Sequence, residues 1–315
     1  MFIMTACEIA EKLNTITDDK QQSINIYKLL RSNSLNMHSF MLMRDGVIIE
    51  EYYSLHSGEN EKHPIFSIEK SLISLAVGKA IEADLLSLDN YAIDFYPGDL
   101  SDLSIHPYIA RTTIRDMLMM HGPYVYGFPS QREYIWDTFL NSTQDKREPG
   151  TQFVYDTLNS NILESIILCL TGSTILEYLQ PIFSEIGVTV ESSTGQYSPW
   201  IMTTHDLAKL TQFIMDMGEH NGNQLIDRKF MIAATSFQGL ICSRYYDSGS
   251  FGYGYKFWIL ENNGVAMFGM HGQFAIFHKP TKTVFVALMD QHTEDEELKR
   301  IIYNAFFQIA NIALI

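Results

Sequence analysis

The β-type segments of this 315-residue chain sit at its two ends, with a long stretch of a different character between them. Near the start, Ser39-Phe40-Met41-Leu42-Met43 and Val47-Ile48-Ile49-Glu50-Glu51-Tyr52-Tyr53 flank Arg44-Asp45-Gly46. Two apolar runs about an Asp-Gly pair read as a β-hairpin. In the last third, Tyr253 to Leu260 is aromatic-rich and reads as one strand, and Val265–Phe268, Phe274–His278 and Val284–Met289 read as three more. Helical spacing marks residues 5–31, Ser67–Ala83, Thr203–Met217 (capped by Thr203 or Thr204) and Asp295–Leu314. The closing helix carries Leu298, Ile301, Ile302, Ala305, Phe306 and Ile309 on one face. Strands at both ends predict one sheet to which both ends contribute, and hence an α/β (α+β) fold. Residues 1–85 and 200–315 are expected to form its sheet region, and 86–199 a mostly helical insert in one structural unit.

Composition narrows the function classes. Hydrophobic residues make up 46% of the chain and charged residues 19%, enough to pack a substantial core. The net charge of −15 repels phosphate backbones, so nucleic acid is not an expected partner. Cys7, Cys169 and Cys242 lie far apart without CxxC spacing, which argues against a disulfide framework or a structural zinc site. Cys169, within Ile166-Ile167-Leu168-Cys169-Leu170, reads as a small core residue. The ten histidines never pair at metal-ligand spacing beside carboxylates, and no glycine-rich phosphate motif occurs, so no metal and no cofactor is expected. The start of the chain lacks a basic region followed by an apolar stretch, and no run approaches a membrane span. A cytoplasmic location with no membrane partner is the expectation.

One short motif carries chemistry. Phe66-Ser67-Ile68-Glu69-Lys70 is the only Ser-x-x-Lys in the sequence and opens a helix. A spacing of three puts Ser67 and Lys70 on one helical face. A serine hydroxyl needs a base to become a nucleophile, and a lysine serves only if desolvation or nearby positive charge holds it neutral. The helix start adds amides and partial positive charge beside the reacting oxygen. The plain alternative makes Ser67 an N-cap and Lys70 a solvated helix residue.

The neighbouring sequence favours chemistry. Pro64 to Ser71 runs into Gly78-Lys79-Ala80-Ile81-Glu82-Ala83, then Leu86-Ser87-Leu88-Asp89, Tyr96-Pro97 and Thr113 to Met120. A second segment, Pro149-Gly150-Thr151-Gln152-Phe153-Val154-Tyr155, leads through Asp156-Thr157-Leu158-Asn159-Ser160 into an apolar helix ending at Thr171-Gly172. A third is Gly269-Met270-His271-Gly272-Gln273, followed by Phe274 to Pro280. In this order, and from about residue 38 to 310, the chain resembles the serine β-lactamase-like and penicillin-binding-protein-like superfamily. Its third segment is most similar to that of class C β-lactamase-related esterases and nylon-oligomer-hydrolase-like serine hydrolases.

The resemblance implies a β-lactamase-like fold, with Ser67 as nucleophile and Lys70 and Tyr155 as the proton-handling pair. It implies an oxyanion hole made by the backbone N–H groups of Ser67 and Met270, with His271 replacing Met270 if the register shifts by one. Asn159, Gly269, His271 and Gly272 are the candidate substrate-binding residues; His271 could equally be a core or supporting histidine. Glycine at 269 would let the strand approach substrate closely. The chain departs from the pattern in three places. Tyr155-Asp156-Thr157 stands where many relatives have Tyr-Ser-Asn, and His121-Gly122-Pro123 replaces a small turn. The third segment also lacks the lysine of Lys-Thr-Gly, which usually holds a β-lactam carboxylate.

The expected activity is hydrolysis of a small ester, amide or peptide-like molecule through an acyl-enzyme. The same site would serve an acyltransferase with a second substrate as acceptor, and the same fold would serve a non-catalytic binding module. The aromatics Tyr124, Tyr126, Phe128, Tyr134 and Trp136 would line the entrance or pack the core.

Overall fold

The computed structural model describes residues 36–55, 57–128, 134–193, 199–241, 250–291 and 296–310. The helix expected at 5–31, as well as Cys7 and Cys242, lies outside them.

An eight-stranded antiparallel sheet forms the centre. Its strands are β1 (Met37–Arg44), β2 (Val47–Tyr53), β3 (Gly239–Leu240), β4 (Ser250–Tyr253), β5 (Trp258–Leu260), β6 (Gly264–Gly269), β7 (Gln273–His278) and β8 (Thr283–Met289). The spatial order is β2-β1-β8-β7-β6-β5-β4-β3, so the N-terminal hairpin joins the last strand of the chain edge to edge. Met41 pairs with Val286 and Leu42 with Phe285, and on the other side of β8 Ala275 pairs with Val286.

Alternation along the strands gives each face its own core. Phe40 and Leu42 of β1, Phe274 and Ile276 of β7 and Phe285 and Ala287 of β8 meet Ile302, Tyr303, Phe306 and Phe307 of the closing helix. Met41, Met43, Ala275, Phe277, Val284, Val286 and Leu288 point the other way, into a larger core shared with the remaining helices. A sheet covered on both faces is buried throughout, and every residue of β7 and β8 is buried.

Five helices matter to the site: α1 (Glu69–Glu82), α2 (Ile114–Leu118), α3 (Leu158–Thr171), α4 (Thr204–Met215) and α5 (Glu296–Ile309). Thr203 caps α4 by accepting from the Asp206 amide. Helix α2 opens with a capping box, in which Thr113 and Asp116 satisfy each other's backbone amides. Helix α1 has the helical spacing of Leu72, Leu75, Ala76, Lys79 and Ala80 expected from the sequence, and every residue from Lys70 to Gly78 is buried. It is a central helix packed against α3 and others on several sides.

Two expectations are corrected. Tyr253 to Leu260 is two strands, not one: β4 ends at Tyr253, and the chain turns through Gly254-Tyr255-Lys256 before β5. The cause lies at Gly254, where a Cβ would fall 2.0 Å from the carbonyl oxygen of Ala234, and at Lys256, whose φ of +67° no strand accommodates. Cys169 is exposed, because it and Leu168 lie on the outward side of α3, while Ile166 and Ile167 fill the inward side. Among the described residues, no single helix is long and apolar enough to cross a membrane.

Candidate active site

Ser67 lies in a single 3-10 turn, Phe66–Ile68, immediately before α1. It does not cap the helix: Ile68 occupies that position and no side chain bonds there. Phe66 has φ +47°, a left-handed conformation that an aromatic residue adopts only when its surroundings impose it. The strained residue directly precedes the serine.

Lys70 is one turn further on. Its Nζ lies 3.3 Å from Ser67 Oγ, within hydrogen-bonding distance, and its side chain is sealed from solvent, with the residue 4% exposed. The sequence alternative of a solvated lysine is thereby removed. Tyr155 comes to the same place from the loop before α3. Its ring centroid is 5.7 Å from Lys70 Nζ, and the indole of Trp258 stacks against it at 5.5 Å and 23°.

The third segment closes the group. β6 ends at Gly269, which pairs with Gln273 of β7, leaving Met270, His271 and Gly272 as the connecting turn. A Cβ at Gly269 would lie 2.3 Å from the carbonyl oxygen of Ile65, so the glycine lets β6 abut the backbone two residues before Ser67. The close approach is therefore to the segment that carries the serine. The His271 ring meets Phe66 edge-on at 5.1 Å, and its Nδ1 lies 2.8 Å from the Gln291 carbonyl oxygen. Gly272 is buried with φ +86°. Gln273 donates to the Met270 and Met289 carbonyl oxygens and braces the turn from below. The side chain of Met270 is exposed.

Beneath Tyr155 lies a buried polar cluster. Asp156 accepts from the Asn159 amide at 2.9 Å and from Asn159 Nδ2 at 3.0 Å, and so supplies the cap that Thr157 does not give α3. The candidate Asn159 is thus 3% exposed and turned towards Asp156. A Cβ at Gly122 would fall 2.2 Å from Asn159 Oδ1, which accounts for the glycine in His121-Gly122-Pro123. Burial pushes the Asp156 carboxyl up to about 6, against the Asn159 amide and the charges of Lys256, Arg147 and Lys70, which all favour the carboxylate.

Lys256 went unrecognised in the sequence, where it sits among aromatics in a stretch that reads as a strand. The residue is 2% exposed. Its amide donates to the Leu118 carbonyl oxygen, and its carbonyl accepts from Ser71 Oγ at 2.7 Å. Its Nζ is 3.3 Å from Met120 Sδ. Burial drives it well below an ordinary lysine, Asp156 opposes that, and Lys70 adds to it.

The aromatics divide. Tyr124 is buried, with its hydroxyl donating to the Phe139 carbonyl oxygen, whereas Tyr126 is exposed. Tyr134 and Trp136 line a cavity of ≈480 Å³ with Tyr96, Asn161 and Ser165; Ser67, Lys70 and Tyr155 are not among its lining residues.

An antiparallel sheet built from both ends of the chain, with a serine and a buried lysine one turn apart at a helix start, defines a β-lactamase-type hydrolase fold. The Beta-lactamase family model matches residues 37–308, and the chain belongs to that family. An uncharacterized protein of Alkalihalophilus pseudofirmus is 23% identical over 235 residues, which cover 63% of this chain and 64% of the relative's length. The D-amino acid amidase of Ochrobactrum anthropi SV3 superposes with a TM-score of 0.74 at 16% identity, covering 94% of this chain and 99% of that one. The octameric penicillin-binding protein homologue from Pyrococcus abyssi gives 0.73 at 15%, covering 92% and 77%. At these identities the two structures speak to fold alone.

Proposed function

We propose that the protein is a serine hydrolase that cleaves an ester or amide bond through an acyl-enzyme on Ser67. The observation that carries this reading is the 3.3 Å separation of Ser67 Oγ and a lysine Nζ that the protein removes from water. Lys70 takes the serine proton as Oγ bonds to the carbonyl carbon. The carbonyl oxygen becomes an oxyanion, received by the backbone N–H groups of Ser67 and Met270. As the intermediate collapses, the bond to the leaving alcohol or amine breaks, and the proton passes to it from Lys70 by way of Tyr155. Water then adds to the ester, gives its proton to the same pair, and releases the acid as the proton returns to Ser67. Asn159 orders Asp156 and the Tyr155 loop in this scheme, while His271 and Gly272 shape the turn that presents Met270.

Treating the purified protein with a fluorophosphonate and mapping the adduct by mass spectrometry tests the assignment. Ser67 is expected to carry the label. Labelling of another serine, or of none, would remove Ser67 as the nucleophile.

The substrate class follows from the third segment. With Gly269-Met270-His271-Gly272-Gln273 in place of Lys-Thr-Gly, no cation there receives a β-lactam carboxylate. Short acyl esters are expected to be hydrolysed measurably and cephalosporins poorly. Efficient cephalosporin turnover without esterase activity would overturn this account of the third segment.

A further inference from the structure

His271 sits in the turn that carries Met270, in a backbone conformation that favours glycine. Its φ is +64° and that of Gly272 is +86°, so two left-handed residues in succession reverse the chain between β6 and β7. Glycine takes that conformation freely, whereas a residue with a side chain is held in it by its surroundings. Here hydrogen bonds hold it. The Gln291 amide donates to the His271 carbonyl oxygen at 3.0 Å, and His271 Nδ1 lies 2.8 Å from the Gln291 carbonyl oxygen. A carbonyl oxygen only accepts, so Nδ1 carries the proton and the ring donates. Gln273 Nε2 holds the Met270 carbonyl oxygen at 3.1 Å. Gln291 is anchored in turn, because Asp290 exchanges bonds with Asn36, just before β1. The Asp290 amide donates to the Asn36 carbonyl oxygen at 2.9 Å, and Asn36 Nδ2 to the Asp290 carbonyl oxygen at 3.2 Å. The same imidazole meets Phe66, the residue before Ser67, edge-on at 5.1 Å. One side chain thus joins the segment leaving β8, its own turn beside Met270 and the turn that carries Ser67.

We propose that His271 is a positioning residue: protonated at Nδ1 in its neutral ring, it clasps Gln291 and so fixes the Met270 amide relative to the Ser67 amide, where both meet the oxyanion. The inference rests on the acyl-transfer reading of Ser67 and deepens it. Oxyanion donors act only if they already stand in place when charge develops, and a displacement of about 1 Å costs up to about 10²-fold in rate. His271 itself touches no reacting atom in this scheme. A histidine side chain in water favours the proton on Nε2, so the clasp selects the less common tautomer. Substitution separates the two contacts of the ring. Asparagine places its amide nitrogen at the same covalent distance from Cα as Nδ1, donates to the same carbonyl and tolerates a left-handed backbone. Phenylalanine keeps an aromatic edge against Phe66 and has no donor.

The test uses the full chain with three readouts: stopped-flow acylation by p-nitrophenyl acetate, fluorophosphonate labelling of Ser67, and nitrogen NMR of the histidine rings at alkaline pH. His271→Phe is expected to acylate about 10- to 100-fold more slowly at an unchanged half-saturating ester concentration, because donor placement is lost and binding is not. His271→Asn is expected to recover most of that loss. A merely structural role would lower Tm in both variants and leave acylation by the folded protein unchanged. In the wild type the His271 ring, assigned by its absence from the His271→Asn spectrum, should bear its proton on Nδ1. A His271→Phe protein that acylates like wild type, a His271→Asn protein no faster than His271→Phe, or a ring protonated at Nε2 overturns the inference. If His271→Phe does not fold, the wild-type tautomer and the His271→Asn rate decide: an Nδ1 proton with acylation retained supports the clasp, and either one failing overturns it. A wild type that does not label at Ser67 overturns the acyl-transfer reading and this role with it. A labelled wild type with its His271 proton on Nε2 overturns this inference alone.

Discussion

Lys70→Ala is expected to lower the rate of Ser67 acylation by roughly 10²–10⁴-fold, the usual worth of a positioned general base. The substitution removes the amine 3.3 Å from Ser67 Oγ, which also lies 5.7 Å from the centre of the Tyr155 ring. Tyr155→Phe keeps the ring stacked on Trp258 and deletes only the hydroxyl. Substrate binding should therefore stay close to wild type while kcat falls. If both residues handle one proton, the double variant is little worse than the worse single variant, because groups that act as a unit lose their effect together. Stopped-flow acylation of the two single variants and the double decides the matter. Multiplicative losses in the double variant would mean that the two act independently. A Tyr155→Phe protein with normal kcat would make Tyr155 a packing residue.

Gly269→Ala is expected to damage both stability and acylation, although alanine changes neither charge nor polarity. The added Cβ would sit 2.3 Å from the Ile65 carbonyl oxygen and 2.9 Å from Gln273 Cβ. Neither neighbour can yield cheaply: one is backbone leading into the Ser67 turn, the other a buried strand residue whose amide braces Met270 and Met289. Overpacking of this kind costs about 1–3 kcal/mol, visible as a drop in Tm. The strand end that carries Met270 must also move off the serine, so labelling of Ser67 should slow beyond what the lost stability explains. Gly58→Ala is the control, since a Cβ there meets nothing within 4 Å. A Gly269→Ala protein with wild-type Tm and labelling rate would show that β6 has room to shift.

Residue patterns alone specified much of this molecule. The hairpin about Asp45-Gly46 and the strands β6, β7 and β8 are written in local apolar runs and turn residues, and their boundaries shifted by no more than about two residues in the structure. The Ser67–Lys70 pairing was equally legible, because three residues along a helix is a distance set by backbone geometry. The family, shown by a match over 37–308, follows from the order of the three segments.

Other features depend on groups far apart in sequence. That α1 is buried all round, and not on one face, follows from what packs on it: at Gly78, for instance, a Cβ would meet the Phe230 ring at 2.4 Å. The break at Gly254-Tyr255-Lys256 arises because Ala234, Leu118 and Ser71 claim that backbone. Cys169 lies outside because burial depends on which side of α3 faces a neighbour, and apolar composition does not reveal that. The polar cluster is the clearest case. Asp156 and Lys256 are 100 positions apart in the numbering; Asp156 stands where the second segment departs from its pattern, Lys256 lies in no motif, and nothing in the local sequence says that either is buried. Only the tertiary structure withdraws both from water, with the Met120 thioether against Lys256 Nζ and against the Asn159 amide that bonds Asp156. Their burial gives both residues a weight that the sequence does not show, because removal from water makes a buried charge costly.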